Sequence, residues 1–215
     1  MTSTVQLPRF YPIVDAARFS AGSDPLGAIV HFVLELVEGG ALLIQYRNKI
    51  GGAREILGHA RELQRAVQDR ARLIMNDRAD LCLAAGFAGV HLGQEDLSPA
   101  AARQIFEKAG KQDLWIGFST HNPHQLLEAE LMPIDYIAAG PVFATSSKAN
   151  PDPMIGLEGV RQARKLTAKP LVAIGGITCQ NCKSVLEAGA DAVAVISDVV
   201  ESPRKSTEEF LRILG

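Results

Sequence analysis

The chain has 215 residues, of which 47% are hydrophobic and 21% charged, a composition typical of a globular domain with a large core. Its formal net charge of −2 argues against a nucleic-acid-binding or anionic-membrane surface, so we expect neither partner. No apolar run approaches the roughly 18 residues that a membrane helix needs. The odd number of cysteines and the polar amino terminus, which lacks the pattern of a secretory signal, predict a cytoplasmic protein.

Short apolar runs alternate with amphipathic segments along the whole chain. The runs predict strands at Phe10–Val14, Ala41–Gln45, Arg72–Met75, Gly89–Leu92, Leu114–Phe118, Tyr136–Ala139, Leu171–Ile174 and Ala192–Ile196. The segments after them predict helices at Leu26–Glu38, Ala53–Gln68, Ala79–Ala85, Pro99–Lys108, Pro123–Glu130, Leu157–Leu166, Gln180–Ala188 and Ser206–Leu214. Each predicted strand is therefore followed by one predicted helix.

The nearly continuous apolar character of the runs is typical of parallel strands that are buried on both faces. Eight such strand–helix units predict a single-domain (β/α)8 barrel over residues 1–215. An open, doubly wound sheet is the alternative, but it usually has fewer strands. Because barrel enzymes place their chemistry at the carboxyl ends of the strands, the polar residues at those ends are the candidate site residues.

Three polar side chains, Gln45, Arg47 and Lys49, stand at the end of the second predicted strand. Side chains alternate along an extended backbone, so these three share one side of it. Two cations and an amide that converge suit a diphosphate or another polyanion, since Arg offers a bidentate fork. An ordinary solvated strand end is the alternative interpretation.

Two carboxylates, Asp77 and Asp96, follow the third and fourth predicted strands and would lie on adjacent loops. They would repel a bound phosphate unless a hard cation lay between them. Mg²⁺ fits this arrangement, because it commonly uses one or two carboxylates together with substrate phosphate oxygens. Taken singly, Asp77 is also interpretable as a helix cap and Asp96 as a turn residue.

Hydroxyl groups and glycines follow the remaining strands. Ser119, after the fifth strand, can donate a hydrogen bond to an anionic ligand, whereas we expect His121 to be a surface or capping residue. After the sixth strand, the segment Gly140–Lys148 predicts an anion pocket, because its hydroxyl groups precede a lysine. The segment Gly175–Thr178 after the seventh strand allows close approach of the backbone to a phosphate.

In order along the chain, these motifs resemble those of the thiamine-phosphate synthase family over nearly the whole length. The matching stretches are Tyr11–Asp15, Gln45-x-Arg47-x-Lys49, Asn76-Asp77, His91–Asp96, Gly117-x-Ser119, Gly140–Phe143 with Thr145, Ser147 and Lys148, Val172–Ile177 and Val195–Ser197. Each of them stands in or directly after a predicted strand, which makes the combination specific.

The resemblance implies a transferase of thiamine biosynthesis. That family condenses 4-amino-2-methyl-5-hydroxymethylpyrimidine diphosphate with 4-methyl-5-(2-hydroxyethyl)thiazole phosphate and releases pyrophosphate. These two small molecules are the implied partners, Mg²⁺ is the implied cofactor, and the implied path is dissociative, through a pyrimidine carbocation. A homo-oligomer is compatible with the sequence.

The resemblance also implies a role for each matching residue. The pyrimidine diphosphate would lie against Gln45, Arg47, Lys49, Asn76, Ser119 and Lys148, of which Arg47, Lys49, Ser119 and Lys148 would be catalytic. The thiazole phosphate would lie against Thr145, Ser147, Gly176, Ile196 and Ser197, and Mg²⁺ would be held by Asp77 and Asp96.

The chain departs from the family pattern in the loop after the sixth strand. Ala144 stands where the family often has Pro, and Ser147 stands where it often has Thr. Serine keeps the hydroxyl group, whereas the loss of Pro removes a fixed φ angle. We expect residues 144–156 to form a mobile loop.

Two other functions remain open at this point. The related thiazole tautomerase, an isomerase, shares the barrel but has a His directly after the glycine at the sixth strand end, where this chain has Pro141. A non-catalytic phosphate-binding barrel is the other alternative, and it would need no Asp77 and Asp96 pair.

Overall fold

The computed structural model describes residues 6–145 and 152–215, and these residues form a closed barrel of parallel strands surrounded by helices. The strands are β1 (Phe10–Asp15), β2 (Leu43–Arg47), β3 (Arg72–Asn76), β4 (Gly89–Leu92), β5 (Trp115–Thr120), β6 (Tyr136–Ala139), β7 (Leu171–Ile174) and β8 (Ala192–Val195). Each pairs in parallel with its neighbours in the sequence, and β1 also pairs with β8. The predicted (β/α)8 barrel is therefore confirmed.

Helices follow the strands in the predicted alternation, and a short 3₁₀ turn, Ala16–Phe19, follows β1. The helices are α1 (Pro25–Glu38), α2 (Ala53–Val67), α3 (Ala79–Ala85), α4 (Pro99–Lys108), α5 (Pro123–Glu130), α6 (Gly156–Leu166), α7 (Cys182–Glu187) and α8 (Pro203–Leu214). In the part of the chain that the structure describes, none of these helices is both long and apolar enough to cross a bilayer.

Several helices and strands begin or end at residues other than the predicted ones. Helix α8 begins at Pro203 and not at Ser206, because a proline fits the first helical position, where its missing N–H is not needed. Strand β2 begins later than predicted and continues to Arg47, because Arg47 is in register with Asp15 of β1. Arg47 is therefore held by the sheet itself, and the first two strands carry their charged residues within the ladder.

The core has two parts, one between the barrel and its helices and one inside the barrel. Along β6 the side chains of Ile137 and Ala139 belong to the outer part, while those of Tyr136 and Ala138 belong to the interior. This alternation is the one expected of a strand that is buried on both faces. Glycine at position 117 makes room for Tyr136, because a Cβ there would lie 2.1 Å from the Tyr136 ring.

We expect Phe210→Ala to destabilise the barrel strongly. Phe210 of α8 is fully buried and stacks on Phe10 of β1 with ring centroids 4.8 Å apart. Removal of such a ring leaves a cavity and should lower the free energy of unfolding by about 3–5 kcal/mol, measured by urea denaturation.

The matched control for this prediction is Leu131→Ala, because Leu131 is 88% exposed. The control should change the free energy of unfolding by less than about 0.5 kcal/mol. Equal losses in the two variants would contradict the assignment of α8 to the core.

Candidate active site

A cavity of about 1020 Å³ opens at the carboxyl ends of the strands, where barrel enzymes carry their sites. Its lining includes the predicted site residues Gln45, Arg47, Lys49, Asn76, Asp77, Asp96, Ser119, Thr145, Gly176, Ile196 and Ser197. The two remaining predicted residues, Ser147 and Lys148, lie outside the described residues. The fold thus brings together, in one cavity, side chains that are far apart in the sequence.

The cationic wall of the cavity comes from β2 and the loop after it. Arg47 forms an ion pair with Asp15, with 2.6 Å between Nη1 and Oδ2, and both side chains are mostly buried. A guanidinium has five N–H groups, so this ion pair orients Arg47 and leaves donors for a ligand. Lys49 is about half exposed and forms an ion pair with Asp77 across the mouth.

Asp77 stands in an unusual position directly after β3. Its φ of +64° lies in the left-handed region, which Asp tolerates better than most residues do. Its backbone N–H donates to the His91 carbonyl over 2.8 Å. Burial raises the pKa of its carboxyl group above the ordinary value and Asp96 adds to the increase, whereas Lys49 opposes it. Two carboxylates are therefore held close together against electrostatic repulsion.

The second carboxylate, Asp96, lies in the loop after β4, where its Oδ2 accepts from the Gly93 N–H over 2.7 Å. Within residues 6–145 and 152–215, His, Cys, Asp and Glu side chains form no group of three or more that could hold a metal. The Asp77 and Asp96 pair therefore offers two hard oxygen donors without a full protein cage. This donor set fits Mg²⁺, which usually keeps water and phosphate oxygens among its ligands.

Asn76 contributes a polar atom with no partner. Its Nδ2 is buried and has no acceptor among the residues that the structure describes. A buried amide without a hydrogen bond is costly, and such groups in native proteins are few. Because Asn76 lines the cavity between β2 and β4, the missing acceptor points to a ligand in this part of the cavity.

The floor of the cavity belongs to a hydrogen-bonded chain of side chains inside the barrel, of which all but the fully buried Tyr136 line the cavity. Gln45, Tyr11, Tyr136, His91 and Ser119 follow one another in it, with adjacent polar atoms 2.9–3.1 Å apart. Burial lowers the pKa of His91 to about 4, so its imidazole is neutral near pH 7. The floor is therefore polar but uncharged, which suits a flat heteroaromatic ring more than a phosphate.

The opposite side of the cavity is built from backbone. Gly175 and Gly176, after β7, have φ values of +102° and +63°. A Cβ at Gly176 would lie 2.4 Å from the Ala144 carbonyl oxygen, so glycine is needed for this close approach. Near the end of β8, the hydroxyl oxygen of Ser197 accepts from Arg18 Nη2 over 3.0 Å. Glycine backbone, hydroxyl groups and a nearby cation can together form a phosphate cradle, a common feature of this end of a barrel.

The loop predicted to be mobile, residues 144–156, is only partly described. Its far end is fixed, because the N–H groups of Ile155 and Gly156 donate to the Pro141 and Val142 carbonyls over 2.9 and 3.1 Å. Residues 146–151 lie outside the described residues, so the mobility of the loop stays a prediction. His121, expected at the surface, is half-buried at the cavity rim, and its Nδ1 lies 2.8 Å from the Gly140 carbonyl oxygen.

Sequence reasoning missed several residues that build the site. Asp15 stands at a strand end, so the rule that selected Arg47 could also have selected its partner. Arg18 lies in the 3₁₀ turn after β1, and nothing in the sequence indicates that its side chain contacts the residue after β8. Tyr11 and Tyr136 are aromatic residues within strands, and only the barrel register shows that their hydroxyl groups meet.

Fold and site together are those of a (β/α)8 barrel whose cavity suits phosphate-bearing ligands and whose carboxylate pair suits a divalent cation. Comparison with known proteins is more specific. Residues 10–199 match the family described as thiamine monophosphate synthase. The chain belongs to this family, which confirms the resemblance and the predicted enzyme class, a thiamine-phosphate synthase of thiamine biosynthesis.

Individual relatives agree with this assignment. The chain is 57% identical to the thiamine-phosphate synthase of Koribacter versatilis over 215 residues, which are 100% of this chain and 99% of that protein. It is 39% identical to that of Caldicellulosiruptor bescii over 93% of this chain and 89% of the relative. The solved thiamine phosphate pyrophosphorylase from Pyrococcus furiosus superposes with a TM-score of 0.81 at 36% identity, covering 96% and 95% of the two chains. These similarities favour the synthase over the isomerase and the non-catalytic barrel.

Gly176→Ala should impair the enzyme without unfolding it. The new methyl group would press on Ala144 at a φ that alanine rarely adopts, and it would displace the phosphate cradle. Because small misplacements in an active site cost about 100-fold, we expect kcat/KM for thiamine phosphate formation to fall by that order.

The matched control for this change is Gly58→Ala. A Cβ at Gly58, within α2, meets no atom within 4 Å, and alanine suits a helix better than glycine does. The control should retain normal turnover. Normal turnover of Gly176→Ala as well would mean that this close approach is not needed for substrate binding.

Proposed function

We propose that the cavity binds the pyrimidine diphosphate at the ends of β2 to β5 and the thiazole phosphate at the ends of β6 to β8. The observation that carries this proposal is the division of the cavity. One side has Arg47 and Lys49 beside two carboxylates, and the other has the glycine backbone at Gly176. The first side suits a diphosphate with a divalent cation, and the second suits a monophosphate.

On the diphosphate side, the ion pair with Asp15 presents Arg47 in a fixed orientation. Asn76, whose Nδ2 has no acceptor in the described part of the chain, would donate to a diphosphate oxygen. Lys49 is paired with Asp77 and would turn toward the diphosphate once that carboxylate is occupied by a cation. Lys148, outside the described residues, would add a further cation on this side.

On the thiazole side, the N–H groups around Gly176 and Ile196 and the hydroxyl group of Ser197 would bind the phosphate. Thr145 lines the same part of the cavity, and Ser147 is expected to join it from outside the described residues. Arg18 contacts Ser197 Oγ and supplies positive charge beside this cradle. The thiazole ring would then lie toward the pyrimidine at the barrel centre.

Asp77 and Asp96 would hold Mg²⁺, which when bound would neutralise the negative charge that grows on the departing diphosphate. The raised pKa of the Asp77 carboxyl group is consistent with this role, because burial and a neighbouring carboxylate both disfavour its charge in the absence of a cation. Two carboxylates and substrate phosphate oxygens are a usual ligand set for this ion.

The reaction requires one bond to break and one to form. The bond between the pyrimidine methylene carbon and the diphosphate oxygen breaks, and its electron pair leaves with pyrophosphate. The thiazole nitrogen then donates its lone pair to that carbon, which gives the thiazolium of thiamine phosphate. The cationic side chains of Arg47, Lys49 and Lys148 would stabilise the leaving group, and Ser119 would orient the pyrimidine. No side-chain nucleophile is required.

The deciding experiment mixes the protein with Mg²⁺ and both substrates and measures pyrophosphate release. We expect release with both substrates, much less without the thiazole phosphate, and almost none after chelation with EDTA. Activity should return when Mg²⁺ is added in excess of the chelator. Full activity in the chelated sample would contradict the magnesium assignment, and no thiamine phosphate under any condition would contradict the proposed function.

Asp96→Asn and Arg47→Ala should each lower kcat by about 100- to 1000-fold, since each removes a group that stabilises the leaving diphosphate. Asp96→Asn should also raise the Mg²⁺ concentration needed for half-maximal rate, whereas Arg47→Ala should raise the KM of the pyrimidine diphosphate. Steady-state kinetics with varied Mg²⁺ separates the two effects.

Two exposed ion pairs provide matched controls for these variants. Asp80→Asn breaks the pair with Arg78, and Arg65→Ala breaks the pair with Glu62, both at the protein surface. Both controls should retain the normal rate. Unchanged kinetics in Asp96→Asn would overturn the metal assignment, and unchanged kinetics in Arg47→Ala would overturn the diphosphate assignment. Cytoplasmic location and a homo-oligomeric state stay predictions.

A further inference from the structure

The buried chain of hydrogen bonds in the barrel interior ends at a residue of the proposed site. Gln45 Nε2 lies 3.0 Å from Tyr11 Oη, which lies 3.0 Å from Tyr136 Oη. Tyr136 Oη lies 3.1 Å from His91 Nδ1, and His91 Nε2 lies 2.9 Å from Ser119 Oγ. The chain thus crosses the barrel from β2 to β5 through the side chains of β1, β6 and β4.

The donor at the first link sets the direction of the others. Gln45 Nε2 can only donate, so Tyr11 Oη accepts there and has its own hydrogen to give. Among the described residues, the acceptor within reach of that hydrogen is Tyr136 Oη. Tyr136 must then donate to His91 Nδ1. In the opposite arrangement the buried hydroxyl hydrogen of Tyr11 would have no acceptor, and buried donors are rarely left unpaired.

The direction continues through the imidazole. His91 is buried, and a ring nitrogen that accepts a hydrogen bond carries no hydrogen of its own, so an imidazole whose Nδ1 accepts carries its single hydrogen on Nε2. If Nδ1 accepts from Tyr136, the hydrogen is on Nε2 and is donated to Ser119 Oγ. The Ser119 hydroxyl therefore accepts within the protein, and its own hydrogen has no acceptor among the described residues. Gln94 Nε2 donates to the Ser119 carbonyl over 2.5 Å and helps to fix the backbone there.

We propose that His91, Tyr136 and Tyr11 are positioning residues that turn the Ser119 hydroxyl into a hydrogen-bond donor toward the cavity. The group it meets must be an acceptor, and an unprotonated ring nitrogen of the aminopyrimidine has that chemistry. This inference rests on the proposed function, because it assigns the pyrimidine to the Ser119 side. It adds a specificity-determining set of three residues that do not themselves need to touch the diphosphate.

The first test reads the tautomer of His91 without any substrate. Long-range ¹H–¹⁵N NMR distinguishes a protonated from an unprotonated imidazole nitrogen, and the spectrum of His91→Gln identifies the His91 signals by their absence. We expect the hydrogen on Nε2 and none on Nδ1 near pH 7. A hydrogen on Nδ1, or on both nitrogens, would overturn the proposal whatever the enzyme's activity.

The second test is kinetic and uses Tyr136→Phe and Tyr11→Phe. Each variant removes one hydroxyl group from the chain, so the Ser119 hydrogen is no longer held in one direction. We expect the KM of the pyrimidine diphosphate to rise roughly tenfold, the effect of one lost hydrogen bond, with the KM of the thiazole phosphate unchanged. An unchanged KM for both substrates in both variants would overturn the proposal.

Tyr46→Phe is the matched control for both tests. Tyr46 is also fully buried, and its hydroxyl also contacts a histidine, with 2.8 Å to His59 Nδ1, but it packs between the barrel and the helices. The control should leave the His91 nitrogen signals and both KM values unchanged. Equal KM increases in Tyr46→Phe and Tyr136→Phe would show a merely structural role and would contradict the proposal.

Substrate analogues separate this inference from the proposed function. In each of two deaza analogues of the pyrimidine diphosphate, C–H replaces one ring nitrogen. One of the two analogues should bind to the wild type more weakly than the natural substrate does, by about the same factor as the Tyr136→Phe change weakens binding of the natural substrate. The Tyr136→Phe variant should bind this analogue only slightly more weakly than it binds the natural substrate. Additive losses with both analogues would contradict the proposal. Failure of wild type to release pyrophosphate would instead refute the proposed function and leave the tautomer result standing.

Discussion

The hydrogen bonds between β1 and β8 close the parallel ladder, and through this closure all the strands end at the same rim. In an open sheet, residues at the ends of the first and last strands would lie far apart. In the closed barrel, Arg18 after β1 reaches Ser197 after β8. Backbone pairing therefore brings the residues of the site together, and side-chain contacts then orient them.

Pairing of neighbouring strands also lets the protein hold opposite charges together that would separate in water. Lys49 and Asp77 are paired in the cavity mouth, as are Arg47 and Asp15 within the ladder. Such pairs add little to stability when they are exposed, but they hold side chains in fixed orientations before a ligand arrives. The nearly neutral chain thus concentrates both signs of charge in one cavity while its overall charge stays small.

Much of this arrangement could be predicted from the sequence, because the strands of a barrel are visible in it as short apolar runs. The polar residues Gln45, Arg47, Asn76, Asp77 and Asp96 each stand at the end of such a run or shortly after it. In a parallel barrel those positions share one rim, so their place in the sequence also gives their place in the site. This reasoning identifies residues at the strand ends, but it does not identify residues inside the barrel.

Residues inside the barrel could not be found in the same way. Tyr11, Tyr136 and His91 are spread over three strands, and their meeting depends on register and on the space left by Gly117. The alternation of side chains along β6 shows that Tyr136 and Ile137 face opposite sides of the sheet. It does not show that the hydroxyl group of Tyr11 lies 3.0 Å from that of Tyr136. Helix starts were also uncertain, because Pro203 suits the first helical position although it resembles a helix breaker.

The backbone of Asp77 has a consequence for how this protein could change under selection. Its left-handed φ, its burial and its proximity to Asp96 all oppose the folded state, and a strained backbone alone typically costs about 1–3 kcal/mol. Asparagine would keep the tolerance for that conformation and remove the buried charge. Selection for heat resistance alone would therefore favour losing this carboxylate, whereas the proposed metal site would favour keeping it.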